Sequence, residues 1–345
     1  MDEITRIFID TSKQIFQLHG VNAAEVVVLR RQLRRSRMLE FFTALPPTVV
    51  GLEACGASHH WARVLRQLGH EVKLLAPQHV KPYVKRGKND ARDAEGGCEA
   101  MSRPTMQFVP VKSAAEQAAL MLVSVREGLV RRRTQLTNAI RGHAAEFGLI
   151  APKGLDKIEP LLARIAADDS LPRLAREMFA VLGADYAPLA ARLAEVERRL
   201  MAWHRGHELS RRLAQIPGVG PIGAALLVMK APDPRRFKSA RHFAAWMGLT
   251  PKDHSTAGKQ RLGVITRAGD EALRSTLVVG ATAVVQHARS GRGRASPWLL
   301  ALLQRKPPKL AAVALANKTA RIAWKLMLTG QAYDAERPPA SAIAA

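Results

Sequence analysis

Short apolar runs and amphipathic runs alternate along the first hundred residues. Three strand-like runs, at 6–10, 13–20 and 25–30, follow one another with short breaks, which predicts an antiparallel meander. The next runs are predicted in this order: a helix that ends before Pro46 and Pro47, a strand over 48–53, a helix over 58–70, a strand over 71–77 and a helical region from 78 to about 102.

The resulting order of elements, βββαβαβα, is that of the RNase H-like α/β fold. In such a sheet the first and fourth strands are neighbours. Residues at the ends of these two strands are therefore expected to lie side by side.

Strand patterns are missing from about 112 to 204, where long helical patterns take over. One stripe contains Leu122, Val125, Leu129, Leu136 and Ile140. A second stripe steps by four, three and four residues from Leu189 to Leu200, which is the spacing of a coiled-coil seam. Two interpretations stay open: the stripes pair with another protomer, or they face the core of a bundle within one chain. The segment 148–157 and Pro188 are expected to interrupt the helices.

A third region begins near residue 213 and continues to about 330. The last residues are small, polar and proline-bearing, which is typical of a disordered tail. We therefore predict four parts: an α/β domain at 1–108, a helical coiled-coil region at 109–204, a mainly α-helical domain at 205–330 and a tail at 331–345.

The chain is strongly basic, with 53 Lys and Arg against 29 Asp and Glu and a pI of about 11.0. In a folded protein this balance indicates a polyanionic partner, and nucleic acid is the first expectation. We found neither an apolar run of membrane-spanning length nor a leader pattern, so a cytosolic protein without a membrane partner is predicted. Cys55 and Cys98 fit neither a zinc site nor a disulfide framework, and both are expected to be small buried side chains.

Four carboxylates stand where the predicted topology brings them together. Asp10 ends the first strand, Glu53 ends the fourth, and Asp90 and Asp93 share one face of a helix. Carboxylates this close repel one another unless cations lie between them, and Mg²⁺ prefers such oxygen ligands. Two Mg²⁺ ions about 4 Å apart can clamp the attacking and leaving oxygens of a phosphoryl transfer.

Simpler interpretations exist for each residue taken alone. An Asp after a strand is usually a turn former, and an acidic pair on a helix usually faces solvent. Basic residues beside the aspartates form an expected nucleic-acid rim, with ordinary surface charge as the alternative; they are Lys81, Lys85, Arg86, Lys88 and Arg92.

Two features of the third region also carry possible chemistry. The segment 216–227, "IPGVGPIGAALL", resembles a helix-hairpin-helix turn, whose backbone N–H groups can hold a phosphate; a plain loop is the alternative. The segment 246–277 predicts a polar, glycine-bearing loop between two apolar helices. Its hydroxyls at Ser255 and Thr256 can serve as a nucleophile or as a helix cap. Its basic residues are Lys252, Lys259, Arg261 and Arg267.

Six blocks of the sequence resemble, in the same order, those of a known family. They are "FIDTSK", "GLEACGASHHW", "LAPQHVKPYVKRGKNDARDAEGG", "IPGVGPIGAALL", "GLTPKDHSTAGKQRLGVITRAGDEALR" and "KLAAVALANKTARIAW". The family is that of the DEDD-type transposases of bacterial insertion sequences, the insertion-sequence family numbered one hundred and ten, relatives of the Piv invertases. The resemblance covers about residues 5–328.

This resemblance implies a RuvC-like nuclease domain joined through a coiled coil to a transposase domain with a nucleophilic serine. It implies Asp10, Glu53, Asp90 and Asp93 as the metal tetrad and Ser255 as the nucleophile. The block "STAGK" departs from the "SSGGK" or "STGGK" of many relatives, which leaves Thr256 open as the alternative.

The resemblance also implies a structured guide RNA, a bridge RNA encoded by the element, which pairs with donor and target DNA. Strand exchange needs at least two nucleophiles, so a dimer or tetramer is expected. The predicted function is a transposase that cuts and rejoins DNA through a serine–DNA intermediate. Two alternatives are a RuvC-like nuclease of the junction-resolvase type, which forms no covalent intermediate, and a non-catalytic nucleic-acid binder.

Overall fold

The computed structural model of the chain describes residues 3–84, 89–231, 233–292 and 295–334. The chain divides into two compact units, unit 1 at Met1–Gln117 and unit 2 at Ala118–Ala345. The first is built on a β-sheet and the second is mostly helical. Within the described residues, no helix is both long and apolar enough to cross a lipid bilayer.

A mixed six-stranded sheet forms the centre of unit 1. Its strands are β1 (Arg6–Asp10), β2 (Ile15–Val21), β3 (Val27–Arg34), β4 (Val49–Glu53), β5 (Glu71–Leu75) and β6 (Phe108–Val109). Their order across the sheet is β3-β2-β1-β4-β5-β6. The first three strands form an antiparallel meander, β4 runs parallel to both β1 and β5, and β6 pairs antiparallel with β5.

Helices cover both faces of this sheet. They are α1 (Met38–Thr43), α2 (Ser58–Gln67), α3 (Pro77–Val80) and α4 (Asp90–Ala100). Strand β1 is buried on both sides: Ile7 and Ile9 pack in the cluster that contains Trp61 of α2, whereas Phe8 packs in the cluster that contains Cys98 of α4. This double burial explains why the strand reads as a continuous apolar run.

The mixed α/β sheet and its βββαβαβα order are confirmed, with α2 and α4 shorter than expected and the two-residue β6 in addition. The RNase H-like assignment stays a prediction. Cys98 is buried as expected, but the expectation for Cys55 is wrong, because it is exposed in the turn that follows β4.

Unit 2 contains long helices and a small hairpin. The helix α5 (Ala114–Glu146) begins just before the boundary of the units. It is followed by α6 (Ile158–Ala166), α7 (Arg173–Gly206), α8 (Glu208–Leu213), α9 (Pro221–Lys230), α10 (Ala240–Trp246), β7 (Pro251–Asp253), β8 (Leu262–Ile265), α11 (Glu271–Arg289), α12 (Pro297–Arg305) and α13 (Pro308–Thr329). The largest apolar cluster of the unit contains Leu227, Phe243, Leu273 and Ala320, from α9, α10, α11 and α13.

The predicted helical stripes are packed within the single chain at several positions. Leu193 and Leu200 of α7 are each 1% exposed, and Leu200 shares a cluster with Val123 of α5 and Leu213 of α8. These residues therefore face the core of a helical bundle within one chain, which was the second of the two interpretations. On the first stripe Leu129 and Ile140 are buried, whereas Val125 is 40% exposed.

Pro188 does not interrupt its helix, contrary to expectation: α7 runs through it for 34 residues. Proline removes the hydrogen bond to the carbonyl four residues earlier, which is that of Ala184. Both residues are exposed, so water can satisfy this carbonyl. The break predicted between α5 and α6 is confirmed.

Candidate functional site

The ends of β1 and β4 place two carboxylates beside each other. The strands are parallel and Ile9 pairs with Leu52, so Asp10 and Glu53 follow at neighbouring positions on the same edge of the sheet. Both side chains are partly buried. The predicted neighbourhood of the two strand ends is therefore present.

The first turn of α4 brings two more carboxylates to this edge. The side chain of Asn89 caps the helix by accepting a hydrogen bond from the N–H of Ala91 at 3.0 Å. Asp90 and Asp93 lie in the first turn, where the positive end of the helix dipole stabilises negative charge. The cap thus fixes where the helix begins and where its aspartates lie.

Three of the four carboxylates converge closely. Ligand oxygens of Asp10, Asp90 and Asp93 all lie within 4.8 Å of one another. Glu53 is outside that set of three, yet the charge of Asp93 contributes to its electrostatic environment. We call these four residues the acidic cluster.

The acidic cluster has the electrostatics of a cation site. Burial, followed by the charges of Asp90, Asp93 and Glu53, raises the pKa of Asp10 to about 6. Burial and the charge of Asp93 raise the pKa of Glu53 as well. The ionised carboxylates of the acidic cluster repel one another, and a bound divalent cation would relieve that repulsion. The donor set, made only of carboxylate oxygens, fits Mg²⁺.

Ser255 lies at the tip of a hairpin that the sequence did not predict. Strands β7 and β8 pair antiparallel, and Thr256 pairs with Lys259 across a two-residue turn. Ala257 has φ +48° and Gly258 has φ +76°, as in a type I′ turn. The polar segment lies between α10 and α11 as expected, but it also contains these two strands, which have three and four residues and are almost wholly exposed.

Two residues hold Ser255. Its Oγ accepts a hydrogen bond from the N–H of Arg261 at 3.0 Å, and its own N–H donates to Oδ1 of Asp253 at 2.9 Å. A hydrogen bond from the Ser255 side chain, followed by one from its N–H, lowers the pKa of Asp253. Ser255 does not cap a helix: Asp270 caps α11, accepting from the N–H of Leu273 at 2.8 Å.

Asp253 is a residue that the sequence analysis missed. A signal was available, because an Asp side chain in a turn can accept a hydrogen bond from the N–H two residues on, which here is that of Ser255.

The base of the hairpin is firmly tied. The N–H of Thr266 donates to the carbonyl of Thr250 at 2.8 Å, and that of Arg267 donates to the carbonyl of Gly248 at 3.2 Å. Gly269 has φ +72°, and a Cβ there would lie 2.1 Å from the carbonyl oxygen of Trp246. Two chain segments can therefore meet closely below the exposed tip.

The predicted basic residues are exposed wherever the structure describes them. In unit 1 these are Lys81 and Arg92, and in unit 2 they are Lys252, Lys259, Arg261 and Arg267. Lys85, Arg86 and Lys88 lie outside the described residues. Each described side chain is accessible to a phosphate backbone, and their role in binding stays a prediction.

The expected turn between two helices is present at 214–220, between α8 and α9. Gly218 has φ +85°, and a Cβ there would lie 3.0 Å from the carbonyl oxygen of Gly280 in α11. The turn thus packs against α11 through two glycines. Phosphate binding by this turn stays a prediction.

Comparisons with protein families match both units. Residues 8–147 match a family model described as a transposase, of the DEDD type, and residues 210–296 match a model described as the transposase IS116/IS110/IS902 family. The two matches contain the acidic cluster and the Ser255 hairpin, respectively.

Individual relatives are similar over almost the whole chain. The y4pF/y4sB protein of Sinorhizobium fredii, whose name assigns it as a transposase, is 66% identical over 334 residues, which are 96% of this chain and 86% of that protein. The transposase for insertion sequence element IS1328 of Yersinia enterocolitica is 38% identical over 97% of this chain and 100% of its own length. That for IS1111A of Coxiella burnetii is 35% identical over 96% and 92%.

Proposed function

Since the chain belongs to the IS116/IS110/IS902 family of insertion-sequence transposases, we propose that it cuts and rejoins DNA through a covalent serine–DNA intermediate. In this proposal Ser255 is the nucleophile and the acidic cluster holds two Mg²⁺ ions. The observation that carries it is the convergence of Asp10, Asp90 and Asp93 within 4.8 Å. Structural carboxylates gain nothing from such mutual repulsion.

Asp10, Asp90 and Asp93 would hold the metal, with Glu53 beside them. When bound, Mg²⁺ supplies charge stabilisation for the phosphate oxygens of the strand under attack. The protein residues orient these carboxylates: the Asn89 cap fixes the start of α4, which places Asp90 and Asp93 in its first turn. Basic side chains on the surface bind the flanking phosphates.

Ser255 would carry the covalent step. Its Oγ attacks phosphorus, an Oγ–P bond forms, and the bond from phosphorus to the leaving strand oxygen breaks, with the proton passing to that oxygen. In rejoining, the hydroxyl of the incoming strand attacks the same phosphorus and Oγ leaves with a proton. The number of ester bonds is unchanged, so no ATP is needed.

Asp253 would orient the Ser255 hydroxyl for this step. Oγ accepts from the N–H of Arg261 at 3.0 Å, and the N–H of Ser255 donates to Oδ1 of Asp253 at 2.9 Å, so the carboxylate and the hydroxyl belong to one turn. Like an ordinary aspartate, Asp253 is ionised at neutral pH, and its lowered pKa leaves it so at more acidic pH as well. Asp253 is thus proposed as a positioning residue.

The proposal extends to partners. The net charge of +24 supports binding to several nucleic-acid strands, and we include donor DNA, target DNA and an element-encoded guide RNA. A dimer or tetramer would supply the nucleophiles for complete exchange. Because the substrate would be chromosomal DNA, the proposed place of action is the bacterial cytosol and nucleoid.

The test is a denaturing gel with labelled DNA and Mg²⁺. Wild type should form a protein–DNA adduct, Ser255→Ala should form none and transfer no strand, and Thr256→Ala should retain both. Asp10→Asn should neither cut nor form an adduct. An adduct in Ser255→Ala that is lost in Thr256→Ala would move the nucleophile by one residue. DNA cleavage by wild type without any adduct would favour the resolvase-like nuclease instead.

A further inference from the structure

A basic and aromatic pocket of about 740 Å³ lies in unit 1, outside the acidic cluster. We call it the Arg35 pocket. Its lining includes Gln14, Ile15, Arg34, Arg35, His60 and Trp61. The volume is within the range of small-molecule and nucleotide sites, about 300–1,000 Å³, and the lining contains two arginines and no carboxylate.

The chain places this pocket on the same edge of the sheet as the acidic cluster. Gln14 ends the short loop that begins after Asp10, and Ile15 begins β2. Ile15 pairs with Arg34 of β3, and the N–H of Arg35 donates to the carbonyl of Gln14 at 2.7 Å. The pocket therefore begins a few residues from one carboxylate of the cluster.

The other wall comes from α2, the helix that follows Glu53. His60 and Trp61 lie in its first turn, after the short connection from β4. Both walls are thus direct continuations of the strands that carry Asp10 and Glu53. A DNA strand whose phosphate lies at the acidic cluster and that follows this edge of the sheet would meet the pocket.

Arg35 is held in place by aromatic rings. Its guanidinium carbon lies 5.3 Å from the ring centroid of Trp61 and 5.8 Å from that of Phe16. Cation–π contact fixes a guanidinium without using its N–H donors. Among the described residues no carboxylate pairs with Arg34 or Arg35, in contrast to the nearby Arg37, which pairs with Glu40 at 2.9 Å. The pocket thus offers two cations whose donors are available to an anion.

Trp61 offers a further hydrogen-bond donor beside those of the two arginines. Its side chain is 7% exposed, and its Nε1 is buried without a hydrogen-bond partner among the described residues. Most buried donors in folded proteins are paired. A ligand that carries oxygen atoms and slightly displaces the guanidinium of Arg35 would provide an acceptor for the Nε1–H of Trp61.

We propose that the Arg35 pocket binds one unpaired nucleotide of the DNA strand that is cut, on the flank of the scissile phosphate. Arg34 and Arg35 bind its phosphate oxygens, and the base stacks on the guanidinium plane of Arg35 or on the exposed ring of His60. A base can stack on these side chains only after it has left the stack of its own duplex, so an unpaired nucleotide is the expected occupant. This inference rests on the proposed function, since it assumes that the acidic cluster acts on DNA.

The test compares two DNA substrates with the full-length protein in EDTA, which prevents cleavage. One substrate is fully paired around the cleavage site, and the other has two unpaired nucleotides on its flank. Binding is measured by fluorescence anisotropy at several salt concentrations. Arg34→Gln, Arg35→Gln and His60→Ala are the variants, and Arg37→Gln is the matched control from the same segment.

We expect Arg34→Gln and Arg35→Gln to bind the unpaired-flank DNA about tenfold more weakly, with the salt slope reduced by about 0.7 for each lost contact. Binding to paired DNA should change less than twofold, and Arg37→Gln should bind both like wild type. If Arg35→Gln fails to fold, Arg34→Gln decides, because no aromatic contact depends on it.

Three results would overturn the inference: equal loss for both DNA substrates, equal loss in Arg37→Gln, or tighter binding of RNA than of DNA with the same unpaired flank. Failure of the proposed function is a separate result. It would appear as absence of Mg²⁺-dependent cleavage by wild type, whereas the anisotropy comparison requires no cleavage.

Discussion

Gly97 lies directly against the ring of Phe8. A Cβ built on Gly97 would lie 2.2–2.4 Å from three ring carbons of Phe8, whose side chain is 1% exposed. Gly97 is one turn beyond Asp93 on α4, and Phe8 is two residues before Asp10 on β1. The absence of a side chain at Gly97 therefore lets α4 approach β1 closely enough for the carboxylates to meet.

Gly97→Ala should disable the acidic cluster without changing any of its members. The added methyl must displace either α4 or the buried ring, which costs roughly 1–3 kcal/mol of unfolding free energy. We expect cleavage and Mg²⁺ binding to fall together, as measured by gel assay and by metal titration. Gly142→Ala is the matched control, because that helical glycine has no atom within 4 Å of a built Cβ. Equal activity in the two variants would contradict this role of Gly97.

Asp10→Asn should stabilise the metal-free protein near neutral pH while removing its response to Mg²⁺. The pKa of Asp10 is raised from 3.8 to about 6, so the folded state prefers the protonated form. Ionisation therefore lowers stability as pH rises from about 4 to 6, and the neutral amide avoids this loss. Because the carboxyl is about half exposed, the gain is on the order of 1 kcal/mol.

Thermal unfolding at pH 7 with EDTA and then with Mg²⁺ measures both effects. Wild type should gain stability on addition of Mg²⁺, and Asp10→Asn should gain much less. Identical Mg²⁺ stabilisation of the two proteins would show that the metal binds elsewhere.

The turn beside Ser255 should respond to substitutions according to its backbone angles. Ala257 has φ +48°, a conformation that costs a non-glycine residue roughly 1 kcal/mol, so Ala257→Gly should keep or increase adduct formation. Gly258→Val should slow adduct formation strongly, since a β-branched residue is strained at φ +76°. The exposed turn contributes little to global stability, and chemical denaturation should separate the two readouts. Normal adduct formation by Gly258→Val would show that this turn is not required.

Lys230 should be important for the stability of unit 2. Its Nζ lies 2.9 Å from Oε1 of Glu127 and 3.1 Å from Oδ2 of Asp270, and its side chain is 13% exposed. Lys230→Met would leave two adjacent carboxylates without their cation, at a cost of about 3 kcal/mol. Arg199→Met, which breaks the exposed pair with Glu195, should cost less than about 1 kcal/mol. Urea unfolding of both variants tests the difference; similar costs would contradict it.

His59 should make unit 1 less stable at acidic pH. Burial, followed by the charges of Lys112 and Arg63, lowers the pKa of His59 from 6.5 to about 4. Its Nδ1 accepts a hydrogen bond from the N–H of Lys112 at 3.2 Å, which requires this nitrogen to be unprotonated. Between pH 6.5 and 4 the unfolded chain binds a proton that the folded chain resists, so stability falls as pH decreases.

In His59→Gln this dependence should be smaller. The measurement is the difference in unfolding free energy between wild type and variant at pH 7.5 and at pH 5. A constant difference at both values would refute the assignment.

The sequence was most informative where buried strands control position. Asp10 and Glu53 were expected to be neighbours because the order of elements makes the first and fourth strands adjacent, and the parallel pairing of Ile9 with Leu52 brings them together. The start of α4 was harder to predict, since it depends on the Asn89 cap and on the fit of Gly97 against Phe8.

Exposed elements were missed for a physical reason. Strands β7 and β8 have only three and four residues, and the apolar Leu262 and Val264 of β8 are exposed, so no buried face sets them apart from a loop. The Arg35 pocket combines residues from three separate segments, which only the register of the sheet brings together. The passage of α7 through Pro188 depends on solvent access at Ala184, a tertiary property.

The exposure of the β7–β8 hairpin determines how its amide hydrogens exchange with water. An isolated two-stranded hairpin in water is at best marginally stable, and this one leaves its apolar side chains Leu262 and Val264 exposed. Local opening should therefore release residues 251–265 at a small fraction of the free energy that protects α11 or α13. Ser255 would then be fully ordered only while DNA contacts the hairpin. Without DNA, the hairpin that carries its hydroxyl would open frequently, and Ser255 would be poorly positioned to attack a phosphate.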